Sequence, residues 1–433
     1  LRGGRLWGRR AWEAWGVGMS ARARAAIAGG RGVAGVSRAA GRGRGQVIGG
    51  QVMLRVHPGI IRELAAHKQT TLVSATNGKS TTTRFIAEAL RTRGPVAHNL
   101  TGANMAPGVA TALAASPRAP YAALEVDEAH LPAVLAATRA SVVVLMNLSR
   151  DQLDRGAEVK LLAARWRTML QAVDWPLTAV ANADDPLVAW AAWAAPATVW
   201  VGAGLWWRDD SALCPECSRP LERPGGARPA GPGWFCPACG LARPQTAWNA
   251  DDDGITVPDG SRLTPDLRLP GRVNIGNAAI AAAAAGCWGV APEAALAAFE
   301  RVGDVDGRYV EAQAAGHPVR LLLGKNPASW TELIDMVAAS GRSLVAVLNA
   351  RGADGRDPSW LWDVPFERLA GTPARVAGER RYDLAVRFDT AGIDVAGVAE
   401  DPLEAVAAVE AGKPVDIVAN YTAFQDLRAR IAP

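Results

Sequence analysis

Residues 70–83 read Thr70-Thr71-Leu72-Val73-Ser74-Ala75-Thr76-Asn77-Gly78-Lys79-Ser80-Thr81-Thr82-Thr83, and this stretch decides the fold. Its first part, Thr70–Ala75, is short, apolar and β-branched, the pattern of a strand buried on both faces. From Ser80 the sequence STTTRFIAEALRT has helical spacing and stops at Gly94-Pro95, so a helix is expected over Ser80–Thr92. A tight loop between such a strand and such a helix aims backbone N–H groups and the positive end of the helix dipole at one point, which suits a phosphate. Lys79 is then placed to reach the β- and γ-phosphates of ATP and the Ser80 hydroxyl to ligate Mg²⁺, with Thr76, Asn77, Gly78 and Thr81 completing the loop. A bare Gly-Lys-Ser is often merely structural; the strand–loop–helix setting and the Thr run argue for a nucleotide. The loop departs from the common form, with Val73 standing where a glycine is usual six residues before the lysine.

Working outward, apolar strand candidates follow at Ala122–Val126, Ser141–Leu145, Leu177–Ala181 and Thr198–Val201, separated by helical patterns such as Val159–Val173. Strands alternating with helices predict a parallel sheet covered on both faces. The alternation breaks near Ser211 and resumes after Thr246, so the Pro/Gly/Cys-rich stretch between reads as an insertion. Ala-rich Asn274–Trp288 and Pro292–Arg301 are expected helices. A second α/β set has strands at Val319–Leu323, Leu344–Leu348, Ala374–Ala377 and Val415–Ala419. The expected division is a basic N-terminal arm (1–46), a central domain (47–310) carrying an insertion at 211–244, and a C-terminal α/β domain (311–433). The boundary falls near Gly307–Gln313.

The chain has 433 residues, 49% of them hydrophobic, enough for two or three cored domains. It has no apolar run long enough to span a bilayer. Residues 1–46 hold ten Arg against Glu13, a charge of +9, which leaves −4 for the remainder of a chain whose total is +5. The basic balance is thus local. Such an arm suits contact with anionic lipid or is poorly ordered; its apolar stretches are too short for a signal peptide, and Met19 is an expected alternative start.

Four of the five cysteines form two C-x-x-C pairs, Cys214/Cys217 and Cys236/Cys239, eighteen residues apart. Paired knuckles of this kind place four thiolates tetrahedrally around Zn²⁺, and with no histidine nearby the site is expected to be closed and structural, an iron–sulfur cluster being the other possibility. Unpaired thiols in this pattern also point to a reducing, cytoplasmic setting. Cys287 alone remains, inside the Ala-rich helix, where it reads as a small core residue. No cysteine is therefore left as an obvious nucleophile.

The short loop Thr76-Asn77-Gly78-Lys79-Ser80-Thr81-Thr82 resembles that of the Mur ligases and folylpolyglutamate synthetases. The likeness continues in order through Gly102-Ala103-Asn104-Met105, Glu125-Val126-Asp127-Glu128, Arg150-Asp151-Gln152-Leu153-Asp154, Asn182-Ala183-Asp184-Asp185-Pro186 and Asn274-Ile275-Gly276-Asn277. The resemblance implies a second magnesium ligand at Glu125, adenine contact at Asn277, a pocket lined by Asp184 and Asp185, and Arg308 reaching in from the domain junction. Two departures matter. Ala75 replaces a loop glycine, so a negative φ is expected there. Many Mur ligases carry a carbamylated lysine where Arg165 stands here, and Lys160 is near but not aligned, so that modification is not expected.

The inserted cysteine ribbon and the segment Leu348-Asn349-Ala350-Arg351-Gly352-Ala353-Asp354-Gly355-Arg356-Asp357-Pro358-Ser359-Trp360-Leu361-Trp362-Asp363 resemble the MurT-type subunit of lipid II isoglutaminyl synthase; Lys325-Asn326-Pro327-Ala328 and Asn420-Tyr421-Thr422 extend the match. The fold implied is a Mur-ligase central P-loop domain with a parallel sheet, an inserted Cys₄ zinc ribbon and a C-terminal Rossmann-like α/β domain. The activity implied is ATP-dependent amidation of the D-glutamate α-carboxylate of lipid II. The ammonia would come from a glutaminase subunit of the class I amidotransferase type, bound as a heterodimer. In that family the aspartate matching Asp357 completes the partner's Cys–His triad, with Asp354 and Asp363 as alternatives. The work place implied is the cytoplasmic face of the membrane, by peripheral contact and without nucleic acid. Rival readings are an amino-acid-adding Mur or folylpolyglutamate ligase, and a non-catalytic nucleotide- and zinc-binding module.

Overall fold

The computed structural model describes residues 19–39, 45–99, 103–150, 159–205, 207–224, 233–269, 271–303, 309–352, 354 and 356–432. Two sheets organise them. The first contains β1 (Gln69–Ser74), β2 (Val96–His98), β3 (Tyr121–Glu125), β4 (Val142–Leu145), β5 (Thr178–Asn182), β6 (Ala197–Gly202), β7 (Trp248–Ala250), β8 (Ile255–Thr256) and β9 (Arg262–Leu263), in the order β2-β3-β1-β4-β5-β6-β7-β8-β9. Strands β1 to β7 pair in parallel, and β7-β8-β9 form an antiparallel tail. The second contains β10 (Tyr309–Ala314), β11 (His317–Leu323), β12 (Ser343–Val347), β13 (Ala374–Ala377), β14 (Val395–Ala399) and β15 (Val415–Ala419), in the order β10-β11-β15-β12-β13-β14. All its pairings are parallel except the β10–β11 hairpin.

Helices cover both faces of the first sheet: α1 (Ala21–Ala39), α2 (Gln46–Val56), α3 (Ile60–Ala65), α4 (Lys79–Arg91), α5 (Ala106–Ala115), α6 (Leu131–Thr138), α7 (Val159–Gln171), α8 (Pro186–Ala192), α9 (Arg272–Gly286) and α10 (Pro292–Phe299). The two-residue period of a strand sorts the core. Leu72, Leu124, Val143 and Leu145 pack on Trp166 of α7, whereas Val73, Val142, Val144 and Val180 pack on Phe85 of α4, Ile280 of α9 and Phe299 of α10. Helices α11 (Pro327–Ser340), α12 (Arg381–Thr390), α13 (Pro402–Ala407) and α14 (Tyr421–Ile431) do the same for the second sheet.

Strand and helix cores lie where the hydrophobic pattern puts them; the ends shift by a residue or two. Strands β10 and β14 escape the pattern because they are edge strands, with exposed residues alternating along them rather than forming an apolar run.

The N-terminal stretch differs from the expected arm. Residues 1–18 and 40–44 lie outside the described residues, but Ala21–Ala39 forms a helix that buries Ala23, Ala26, Ile27 and Gly30, a spacing of one helix face. A Cβ on Gly30 would come 2.7 Å from the Gly49 carbonyl, so small residues let α1 and α2 approach at backbone distance. Low hydrophobicity and many arginines hide such a helix, because packing between glycines leaves no large apolar side chain to notice.

Candidate active site

The phosphate-type loop emerges from the C-terminal end of β1, the edge at which parallel sheets bind ligands. Gly78 is the residue before α4 and has φ 83°, a left-handed conformation, and a Cβ there would come 2.8 Å from Asn277 Oδ1. Only glycine meets both demands. Ala75 keeps out of the left-handed region, as expected, since the non-glycine residues found there among those described are Arg139, Ser218 and Ala315.

The segment that follows the neighbouring strand β4 clamps the loop. Thr76 N–H donates to Asn147 O (3.0 Å) and Thr76 Oγ1 to Ser149 O (3.1 Å), while Ser149 N–H donates to Thr76 Oγ1 (3.0 Å). Asn77 N–H donates to Asn147 Oδ1 (2.9 Å), and Asn147 Nδ2 returns a bond to Asn77 O (2.9 Å). Thr76 is thus a buried clasp of the loop. Asn147 and Ser149, which sequence reasoning passed over, are its partners; their signal was their place at the end of a strand beside the loop.

Ser80 and Glu125 are brought together. Ser80 Oγ donates to Glu125 Oε2 at 2.7 Å, and Asn104 Nδ2 lies 3.4 Å from Glu125 Oε1. Asn99 grips the Glu125 main chain from both sides, accepting from its N–H and donating to its carbonyl at 2.8 Å each. A hydroxyl and a buried carboxylate so held suit a hard dication such as Mg²⁺. Lys79 is buried. Its Nζ pairs with Glu128 Oε2 at 3.0 Å and also donates to the Ala75 and Thr76 carbonyls. Glu128 belongs to the quoted motif, yet sequence alone gave it no role.

A cavity opens beside the loop, lined by Asn77, Asn147, Asn182, Trp207, Asn277 and, from α11, Ala328 and Glu332. Asn277 thus lies in the cavity wall, against Gly78. Thr81, in the first turn of α4, is buried and does not line the cavity. Asp184 does not line the cavity: its carboxylate accepts from Arg243 Nε (2.6 Å) and Gly204 N–H (2.7 Å), holding the insertion against the sheet. Asp185 does not line it either. It caps α8, accepting from Leu187, Val188 and Leu148 N–H, and burial pushes its carboxyl up to about 6. Arg308 lies outside the described residues, as do Asp151–Asp154 and Gly102. The buried Asn77 and Asn326 side-chain amides face each other at 3.3 and 3.5 Å, a contact between the two sheets' domains.

The four insertion cysteines converge. Their sulfurs all lie within 4.8 Å of one another, with Cys214–Cys239 at 3.6 Å and Cys217–Cys236 at 3.4 Å. Four Zn–S bonds of about 2.3 Å put sulfurs about 3.8 Å apart in a tetrahedron, so the residues fit a metal. Both knuckles make the same turn: Cys214 and Cys236 N–H donate to Arg219 and Leu241 O, each at 2.7 Å. Ser218 (φ 60°) and Gly240 (φ 76°) close them at equivalent places. Burial pushes the Cys214 thiol up to about 12, so a cation is needed to hold it as thiolate. Lys160 donates to Ser218 of this ribbon (2.6 Å). Cys287, expected in the core, instead caps the end of α9 and is exposed, because the helix stops at Gly286.

In the C-terminal domain the three aspartates of the 354–363 segment have separate fates. Asp354 is buried and accepts from Thr422 N–H (2.8 Å) and from the Thr422 hydroxyl. Asp363 pairs with Arg150 (3.2 Å). Asp357 accepts Ser359 N–H (2.9 Å), which with the Ser359 hydroxyl and nearby Arg380 holds its carboxyl below the usual range. Around it lies a concave surface formed by Trp362, Tyr382 and Val386, each more than half exposed.

Comparison with known proteins agrees with this architecture. Residues 73–203 match the Mur ligase middle domain family and residues 323–424 the MurT ligase C-terminal family. The chain is 29% identical over 419 residues to the lipid II isoglutaminyl synthase (glutamine-hydrolyzing) subunit MurT of Streptococcus pneumoniae (strain ATCC BAA-255 / R6), covering 90% of this chain and 93% of that one. It is 28% identical over 409 residues to the same-named subunit of Staphylococcus aureus (strain COL), with the same coverage. Among solved structures, a pseudomurein peptide ligase type C from Methanothermus fervidus superposes with TM-score 0.67 at 17% identity, covering 85% of this chain and 80% of that one. MurF from Acinetobacter baumannii gives 0.64 at 16% identity, covering 87% and 80%. At such identities the superpositions speak for the fold alone. With residues that match a Mur ligase middle domain and a MurT ligase C-terminal domain, and with relatives alike along nine-tenths of its length, this chain is similar to the MurT type of Mur-ligase-like subunits.

Proposed function

We propose that the protein is the synthetase subunit of a glutamine-dependent amidotransferase of peptidoglycan synthesis, converting the D-glutamate α-carboxylate of lipid II to the D-isoglutamine amide at the expense of ATP. The observation that carries this reading is one chain holding both a nucleotide-type loop with Lys79, Ser80 and Glu125 together and, in its second domain, an exposed carboxylate, Asp357, on an aromatic surface. Its likeness, along nine-tenths of its length, to subunits named lipid II isoglutaminyl synthase subunit MurT supports it.

ATP would bind with its phosphates at the loop and the start of α4, and its base toward Asn277. Ser80 and Glu125 would hold Mg²⁺, which when bound supplies charge neutralisation for phosphoryl transfer. Lys79 would leave Glu128 for the phosphates, so Glu128 acts as its rest position. The γ-phosphoryl passes to the substrate carboxylate, giving an acyl phosphate and ADP. Ammonia then adds to the acyl carbon, phosphate leaves, and a proton is lost as the amide forms. Backbone N–H groups at the α4 terminus and Lys79 stabilise the charge carried between these states.

The ammonia is supplied by a glutaminase subunit docked at the Trp362–Tyr382–Val386 surface, where Asp357 would orient that subunit's histidine. The engagement of Asp354 with Thr422 and of Asp363 with Arg150 supports Asp357 in this role. Acting on a lipid-linked substrate would bring the protein to the inner membrane face. No helix among the described residues is long and apolar enough to cross a membrane, and exposed Arg24 and Arg38 would favour peripheral contact. Incubation with ATP, lipid II and glutamine, with and without the glutaminase, tests the whole reading. Amide should form from glutamine only with the partner and from ammonium without it; an added amino acid in the product would instead indicate an ordinary Mur ligase.

The four-cysteine ribbon is proposed to hold one structural zinc. Metal analysis of protein purified without chelator should find about one zinc per chain. The Cys214→Ser/Cys217→Ser variant should lose it and unfold the ribbon first, since the metal ties the two knuckles together. Iron in place of zinc, or no metal at all, would overturn this assignment. Because Arg243 joins the ribbon to Asp184 (2.6 Å) near the cavity wall, metal loss should also weaken ATP binding severalfold.

A further inference from the structure

A continuous chain of polar contacts leads from the nucleotide cavity to the partner-facing turn. Trp207, buried in the cavity wall, donates from Nε1 to Asp210 Oδ2 at 2.6 Å. Arg150 grips the same carboxylate twice, through Nε to Oδ1 (2.6 Å) and through its main-chain N–H to Oδ2 (2.8 Å). Its guanidinium lies 5.9 Å from the Trp207 ring centre. The other end of the guanidinium, Nη1, reaches across to the C-terminal domain and pairs with Asp363 Oδ2 at 3.2 Å. Asp363 is the last residue of a 3₁₀ turn, Ser359–Asp363, whose Trp360 and Leu361 are buried in the second domain's core. Asp357, just before that turn, accepts the N–H of its first residue, Ser359.

The two halves of this chain differ in strength. The Asp210 side chain is 6% exposed, so its pairing with Arg150 is held in a low-dielectric setting. Arg150 and Asp363 are each 36% exposed at the side chain, where an ion pair is weak and easily made or broken. Arg150 therefore belongs firmly to the nucleotide side and contacts the partner-facing side reversibly. Such a weak contact between two stiff elements can act as a latch.

Resting on the amidotransferase reading above, we infer that Arg150 is a positioning residue, latching the Asp357-bearing turn to the nucleotide cavity through Asp363. A nucleotide packed against Trp207 immobilises Trp207, Asp210 and Arg150 in sequence and so presents the guanidinium to Asp363. The latched turn then holds Asp357 in register with the partner's histidine. By linkage the effect is reciprocal: a docked partner that fixes the turn favours the nucleotide-bound arrangement. Glutamine is hydrolysed fastest when ATP is in place to use the ammonia.

The test uses the complete heterodimer and measures glutamine hydrolysis with and without a non-hydrolysable ATP analogue, beside amidation from ammonium. Wild-type complex should hydrolyse glutamine about tenfold faster with the analogue, within the usual range of coupling between sites. Asp363→Asn, which leaves the Arg150–Asp210 pair intact, should cut that stimulation below about twofold while unstimulated hydrolysis and ammonium-driven amidation stay within about twofold of wild type. Arg150→Gln should lose the stimulation equally, and the double variant should lose no more than either single one, since both remove the same contact. Stimulation that survives Asp363→Asn, or its absence in wild type, would overturn the latch. So would a collapse of hydrolysis even without nucleotide, which would make Asp363 the triad acid. Wild-type complex that makes no amide from either nitrogen source overturns the functional reading instead.

Discussion

Replacing Lys79 by alanine should abolish ATP-dependent amidation, by about 10³-fold or more, whether ammonium or glutamine supplies the nitrogen. That is the scale on which phosphoryl transfer suffers when a cation stabilising its transition state is removed. The structure adds a second consequence. Lys79 and Glu128 are paired with side-chain exposures of 7% and 11%, so the alanine variant strands a nearly buried carboxylate. Stability should fall by up to about 3 kcal/mol, toward the range for breaking one half of a buried pair. Lys79→Ala/Glu128→Gln separates the two effects: thermal stability should return toward wild type and activity should not. A double variant that amidates normally would refute Lys79 as the phosphate ligand, and with it the nucleotide role of the loop. A variant that recovers neither stability nor activity would mean that Glu128 has further work in the site.

Lys79 also shows where sequence reading stops. Its residue type, spacing and place between a strand and a helix pointed to phosphate. Nothing in the sequence told that the ammonium would be buried against a residue 49 positions away, because that contact depends on how β3 sits beside β1. The fold was legible for the same local reason that the loop was: buried parallel strands are continuous apolar runs, and their helices carry period-3.6 stripes. What escaped were elements without that signature. The half-exposed edge strands β10 and β14 are of this kind, as is the glycine- and alanine-packed helix α1.

The site residues divide similarly. Ser80, Glu125 and Asn277 come together around one loop, and their motifs lie at the ends of central strands or at the start of a helix, where geometry is set locally. Asp184 and Asp185 share a motif that marks the nucleotide region, yet their carboxylates serve Arg243 and the α8 cap. An aspartate at the start of a helix suits a cap as well as it suits a ligand, and only the packing of the ribbon onto the sheet decides between them. The cysteines posed no such choice. Two knuckles of identical length close into one cluster because each turn satisfies its own backbone, independently of the domain that carries it.

Asp357→Asn should preserve the complex and the ATP site, yet cut glutamine-driven amidation by about 10²-fold or more, with free ammonium at high concentration restoring the product. The asparagine carbonyl can still accept the Ser359 N–H bond, so the turn keeps its shape and the apolar contact surface of Trp362, Tyr382 and Val386 is untouched. What is lost is charge. The carboxylate, held ionised by Ser359 and Arg380, would stabilise the imidazolium that forms when the partner's histidine takes a thiol proton, and a neutral amide cannot. A histidine left without that anion also rotates more freely and presents the wrong tautomer for part of the time. The ammonium rescue is decisive because it bypasses the glutaminase and leaves Lys79, Ser80 and Glu125 unaltered. Equal loss from both nitrogen sources would put Asp357 in the service of the ATP site or the fold. Unimpaired glutamine hydrolysis would remove it from the triad and leave Asp363 as the carboxylate to test next.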